Sequence, residues 1–249
     1  MIFGMSYLPL DLLKAGASEL GIELSEAQLA QFDEFAALLV EANRNFNLTR
    51  ITEPEGMVIS HFLDSLVCLW AQEVSGGKRV IDVGTGAGFP GIPIKIARPD
   101  LGLTLVDGTL KKIRFLAESI ERLGLEGAEA IHGRAEELAH EKAYREHYDV
   151  AYARALAELP VLVELCLPFV KPGGLVVATK GPGIDAEIDA ARPIIGQLGG
   201  AIEKIVRTHI PGTDVARTIP VILKTKQTPE RYPRSYALIA AGKHRRPAG

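Results

Sequence analysis

Apolar residues recur at three- and four-residue spacing through Leu29, Phe32, Phe35, Ala36, Leu39 and Val40, a period that puts them on one face of an α-helix. Ser25 stands just ahead of this run with Gln28 three residues on, the pattern of a capping box at a helix start. Polar turn formers from Asn43 to Thr49 break the helix, and Pro54 opens a second helical run through Val58, Ile59, Phe62, Leu63, Leu66 and Leu69. His61 and Asp64 share that second run three positions apart, the spacing of a local hydrogen-bonded couple. From Met1 to Trp70 no strand signal occurs. Ser75-Gly76-Gly77-Lys78 reads as a linker, so a helical N-terminal region 1–74 is expected ahead of a second unit, 75–249.

Beyond the linker the period changes. Short apolar, β-branched stretches at Arg79 to Val83, Leu103 to Asp107, Ala128 to His132, Tyr148 to Ala153 and Gly174 to Thr179 are separated by helical stretches such as Leu110 to Leu123 and Glu158 to Phe169. Strands alternating with crossover helices imply a parallel sheet covered on both faces. Two further strands, Ala201 to Thr208 and Arg217 to Lys224, are joined by Ile210-Pro211-Gly212-Thr213-Asp214 with no helix between them. They are expected to close the sheet as an antiparallel pair.

The first strand runs into Asp82-Val83-Gly84-Thr85-Gly86-Ala87-Gly88-Phe89-Pro90-Gly91, four glycines in eight residues. Glycines here allow positive φ and let backbone N–H groups approach a ligand. Read from Gly86, the stretch matches the G-x-G-x-x-G of dinucleotide-binding folds; read from Asp82, it resembles the first motif of class I S-adenosylmethionine-dependent methyltransferases. The acid inside the strand, Thr85 between the glycines, Pro90 in place of a phosphate donor and the antiparallel ending of the sheet favour the second reading. Asp107, at the end of the second strand and sixteen residues after Gly91, is placed to accept both hydroxyls of a ribose. Gly108 and Thr109 follow it with free backbone donors.

Composition sets bounds on this picture. A chain of 249 residues, 47% hydrophobic and 24% charged, is ordinary for a globular protein. No apolar run approaches the roughly 18 to 20 residues that cross a bilayer, and no basic region precedes the apolar part of the first residues, so a cytoplasmic protein is expected. Cys68 and Cys166 lie in apolar helical stretches without metal-ligand neighbours, which points to buried thiols and to no metal site. The net charge of −3 conceals a gradient: from Lys224 to Gly249 there are seven Lys or Arg and one acid, a net of +6, leaving −9 for the remainder. Such a basic segment suits a phosphate backbone.

Candidate chemistry elsewhere is sparse. Gly133-Arg134-Ala135-Glu136, after the third strand, can bracket an adenine edge through the amides of Ala135 and Glu136, or can simply start a helix with Glu136 against its dipole. Arg154, after the fourth strand, suits a cofactor carboxylate, a substrate phosphate or a structural ion pair. An Asn/Asp-Pro-Pro-aromatic motif, which grips exocyclic amines, is absent from this place. No serine or cysteine elbow partners His61, and no cysteine sits where a cytosine-C5 methylase needs its nucleophile. A ring nitrogen such as guanine N7 offers its lone pair without a general base, so the reaction can rest on alignment. No catalytic side chain is named on these grounds. A nicotinamide-linked oxidoreductase and a non-catalytic nucleoside-binding module remain open.

Taken together, Asn47-Leu48-Thr49, His61 to Leu66, Asp82 to Pro93, Leu105-Val106-Asp107 with Lys111 to Leu116, Arg154-Ala155 and Arg231-Tyr232-Pro233-Arg234 resemble the bacterial small-subunit ribosomal RNA guanine-N7 methyltransferases, also called glucose-inhibited division protein B. The resemblance covers nearly the whole chain. It implies a Rossmann-like class I methyltransferase fold preceded by a small helical region, and methyl transfer from S-adenosylmethionine to N7 of a guanosine in the 530 loop of 16S rRNA. By position it implies a cofactor site at Gly84, Gly86, Phe89, Asp107, Gly108, Thr109, Ala135, Glu136 and Arg154. RNA contacts are expected from Arg231, Arg234, Lys243, Arg245 and Arg246, in a monomer that meets 16S rRNA free or within the small subunit. Gly108-Thr109 and Ala153 depart from the family's usual Ser-Leu and Ser, and Gly108 is expected to give the ribose a closer backbone approach.

Overall fold

A computed structural model describes residues 6–242 of the chain. Its N-terminal part is helical: α1 (Leu10–Glu19), α2 (Glu26–Phe46), α3 (Pro54–Met57), a π-helical turn (Val58–Leu63) and α4 (Asp64–Ala71). The capping box at Ser25 forms as the pattern predicts, with the Gln28 amide donating to Ser25 Oγ at 3.3 Å and Ser25 N to Gln28 Oε1 at 2.9 Å. Helix α2 runs past Asn43, where the sequence suggested a break, and stops at Asn47 in the left-handed region with φ 48°. The run from Pro54 is not one helix. A π-helical turn interrupts it, and His61 within that turn and Asp64 just after it are both buried.

The rest alternates as expected: β1 (Arg79–Val83), α5 (Gly91–Ala97), β2 (Gly102–Asp107), α6 (Leu110–Arg122), β3 (Ala128–His132), α7 (Ala135–Leu138), β4 (Tyr148–Arg154), α8 (Leu159–Cys166), β5 (Val170–Thr179), α9 (Asp185–Gln197), β6 (Gly200–His209), β7 (Ala216–Lys224) and α10 (Tyr236–Gly242). Helix α8 ends before Phe169, because Pro168 sits in a short 3₁₀ turn instead. Strand β5 begins four residues before Gly174, pairs Val170 with Tyr148 and then shifts register. Gly174 is needed at that shift, since a Cβ there would lie 2.5 Å from the Asp149 carbonyl oxygen.

The seven strands lie in the order β3-β2-β1-β4-β5-β7-β6, with only β7 antiparallel to its neighbours β5 and β6. Alternate residues of each strand supply opposite faces, and two apolar layers result. Val80, Leu103, Leu105, Val150 and Tyr152 pack with the N-terminal helices, α5 and α6; Ile81, Val83, Val106, Ala151 and Ala153 pack with α8 and α9. Phe32, Phe35 and Phe62 from the N-terminal helices share the first layer with Phe89. Chain order reverses between β1 and β4, which opens a crevice at their carboxyl ends. Among the described residues no helix is long and apolar enough to cross a membrane, and Cys68 and Cys166 are both buried and free.

Candidate functional site

The glycine loop follows β1 and is held from below by Asp82. One oxygen of that fully buried carboxylate accepts the Thr85 hydroxyl at 2.7 Å and the Gly91 amide at 2.9 Å, while the other, Oδ1, is buried without a partner. Burial pushes the carboxyl up to about 6 despite the two hydrogen bonds that favour its charge. Gly84, Gly86 and Gly88 all have positive φ, at 70°, 63° and 100°. A Cβ on Gly84 would also lie 2.4 Å from Leu156 Cδ1, and one on Gly91 2.4 Å from Leu105 Cδ2. The loop therefore hugs the sheet in a way that only glycine permits.

Asp107 closes the second strand beside this loop. Its carboxylate accepts the Gly86 amide at 3.1 Å, the Thr109 amide at 2.8 Å and the Lys112 ammonium at 3.2 Å. A cleft of about 270 Å³ opens above it, walled by Gly84, Val106, Asp107 and Gly108 on one side and by Gly133, Arg134, Ala135 and Glu136 on another. Leu156, Leu165 and Tyr236 complete the wall. Arg134 lies across Gly108, where a Cβ would come within 3.2 Å of Arg134 Cδ, and its Nε donates to Glu136 Oε1 at 3.0 Å. Gly108 thus makes room for the Arg134 side chain.

Of the residues expected at the cofactor site, Gly84, Asp107, Gly108, Ala135 and Glu136 meet at this cleft, and Gly86 and Thr109 touch it through Asp107. Phe89 and Arg154 lie in a second cluster. Phe89 is buried and its ring stacks on His61, with Arg154 on the ring at 5.0 Å. Arg154 donates to the Ser60 carbonyl at 3.0 Å and to Asp64 Oδ2 at 2.9 Å, and Arg217 donates to the other Asp64 oxygen at 2.6 Å. His61 Nε2 is hydrogen-bonded to Thr49 Oγ1 at 2.8 Å, and burial together with Arg154 lowers the imidazole to about 4. It is a neutral ring at neutral pH.

Leu156, Leu165 and Tyr236 carried no site signal in the sequence, and Lys112 figured there only within the stretch Lys111 to Leu116 that carries the family resemblance. Apolar wall residues look like core, and Tyr236 reaches the cleft from more than a hundred residues beyond Asp107. The basic segment is also less uniform than its charge suggested. Lys224 is fully buried, donating to the Leu167 carbonyl at 2.8 Å and pairing with Glu146 at 3.3 Å, so it is no phosphate contact. Arg234 makes a two-pronged pair with buried Glu164, at 2.8 and 2.6 Å. Arg231 is exposed on the ring of Tyr232. Lys243, Arg245 and Arg246 lie outside the described residues.

Residues 28–211 match the family model of the rRNA small subunit methyltransferase G. The chain belongs to that family. It is 48% identical over 222 residues to the ribosomal RNA small subunit methyltransferase G of Pelotomaculum thermopropionicum, covering 89% of this chain and 93% of that one. To the protein of the same name from Deinococcus deserti it is 44% identical, over 90% and 91% of the two chains. Solved structures share the fold at low identity. Cofactor-bound Rv0187 from MTB superposes with a TM-score of 0.56 at 19% identity, over 78% of this chain and 91% of that one. A predicted O-methyltransferase from Agrobacterium tumefaciens gives 0.51 at 21%, over 66% and 80%. The Rossmann-like fold is shared with these solved structures.

Proposed function

We propose that this chain transfers a methyl group from S-adenosylmethionine to N7 of a guanosine in the 530 loop of 16S rRNA. The observation that carries the reading is the Asp107 carboxylate. It is presented at the end of β2, held by two backbone amides, beside the cleft whose wall includes Gly84 and Gly108. The cleft fits the cofactor on chemistry: an acid for the ribose hydroxyls, the backbone of Gly133 to Glu136 for the purine edge, and apolar walls from Val106, Leu156 and Leu165. When bound, S-adenosylmethionine supplies an electrophilic methyl group. Gly84, Gly86, Asp107, Gly108, Thr109, Ala135 and Glu136 would hold it, and Phe89 and Arg154 would act from behind the loop through the His61 and Asp64 cluster. N7 of guanine carries its own lone pair, so orientation of the acceptor supplies the rate and no general base is required.

RNA contacts fall to Arg231, to Arg234 where its pair with Glu164 leaves it reachable, and to Lys243, Arg245 and Arg246. The acidic remainder limits indiscriminate binding. The protein acts in the cytoplasm as a monomer, on RNA free or within the small subunit. No feature favours the nicotinamide or purely regulatory alternatives, and the relatives named above are methyltransferases. The test is to incubate the protein with labelled S-adenosylmethionine and, separately, naked 16S rRNA and assembled small subunits, then map the label. N7-methylguanosine in the 530 loop is expected; label on another base, or none on either substrate, would sink the assignment.

A further inference from the structure

The last described segment of the chain is fastened down far more firmly than a tail requires. Thr228 N donates to Glu146 at 2.7 Å, Arg145 donates to the carbonyls of Thr228 and Tyr232 at 2.9 Å each, and His140 Nε2 meets the Pro233 carbonyl at 2.8 Å. The buried Tyr232 donates its hydroxyl to Gln197 at 2.8 Å. Arg234 then grips Glu164 with its guanidinium and its backbone amide. Two residues further on α10 starts, and Ile239, 2% exposed, docks against Val161 and Leu165 of α8. Leu165 is itself a wall of the Asp107 cleft.

This strap delivers Tyr236 into the cleft wall, on the side of Arg134 and Ala135 at the end of β3. The Arg134 guanidinium lies 4.9 Å from the centre of the Tyr236 ring, a cation–π contact between two residues of the cleft wall. With a ribose placed by Asp107 on β2, the base of the nucleoside would extend toward the end of β3, the side of the cleft that Tyr236 walls together with Arg134 and Ala135. We propose that Tyr236 is a cofactor-positioning residue, closing the purine side of the cleft from the C-terminal strap. The inference rests on the reading of the cleft as a cofactor site. It makes α10, the last helix among the described residues, part of the binding machinery, although no sequence motif marks it.

The test is calorimetric titration of S-adenosylhomocysteine and, separately, of adenosine into the wild type and into Tyr236→Ala, Tyr236→Phe and Ile239→Ser variants, with thermal melts to confirm folding. Loss of an aromatic surface under a base should raise the dissociation constant of both ligands roughly tenfold in Tyr236→Ala. Tyr236→Phe should bind like the wild type, and Ile239→Ser, which undocks the helix, should behave like Tyr236→Ala. In turnover, KM for S-adenosylmethionine should rise while kcat changes little. A wild-type dissociation constant in folded Tyr236→Ala overturns the inference, as does a loss confined to S-adenosylhomocysteine with adenosine unaffected. A wild-type protein that binds neither ligand overturns the cofactor reading itself and this inference with it.

Discussion

The imidazole of His61 stacks on the ring of Phe89 with centroids 4.4 Å apart and planes 16° from parallel. Phe89 belongs to the loop that Asp82 fastens, so two buried titratable groups bear on that loop, and burial moves them in opposite directions. His61, lowered from 6.5 to about 4, favours the folded state when neutral; that contribution is complete above the unfolded value and is lost as pH falls through this window. Asp82, raised from 3.8 to about 6, contributes stability when protonated, which is lost as pH rises through the same range.

Between pH 4 and 6 the two slopes oppose, and urea denaturation of the wild type should show little pH dependence from this pair. Asp82→Asn should expose the His61 slope, with stability rising by up to about 3 kcal/mol across the window. His61→Asn should expose the opposite slope. Parallel curves for the two variants would contradict the assignment.

Asp64 is 4% exposed and pairs with two guanidinium groups, Arg154 and Arg217, one on each oxygen. Removing it leaves two partly buried cations facing each other. Asp64→Ala should therefore destabilise by about 3–5 kcal/mol, read from the denaturation midpoint. A loss below about 1 kcal/mol would show that solvent already screens the cluster.

Arg231 and Arg234 look equivalent in the sequence and should separate in experiment. Arg234→Ala leaves the fully buried Glu164 without its cation and should cost about 2 kcal/mol or more of stability, much of it restored by adding Glu164→Gln. Arg231→Ala should leave stability within about 0.5 kcal/mol, while RNA methylation weakens and loses part of its salt dependence. Equal melting temperatures for the two variants would refute the distinction.

Asp107→Ala removes the acceptor of two backbone amides and the counter-charge of Lys112. Titration with S-adenosylhomocysteine should show affinity falling by roughly 10- to 100-fold, as for lost hydrogen bonds to a charged group, with RNA binding unchanged. Wild-type cofactor affinity would remove Asp107 from the site.

Much of this protein is set by local sequence. The strand limits to within about a residue, β5 excepted, the Ser25 capping box, the antiparallel ending and the pairing of a glycine loop with an acid at the next strand end all follow from short-range periodicity and from what glycine, proline and carboxylates permit. Those features act within a few residues, so a linear reading reaches them. What each long side chain touches was decided only by tertiary structure. Arg154 and Arg217 converge on Asp64 across 90 and 153 residues, Lys224 is drawn into the interior, Arg234 is taken by Glu164, and Tyr236 comes round on a strap to the wall of the Asp107 cleft. The physical reason is that a flexible charged or aromatic side chain has several chemically reasonable partners, and burial, which sets the strength of each contact, exists only once the distant segments are packed together.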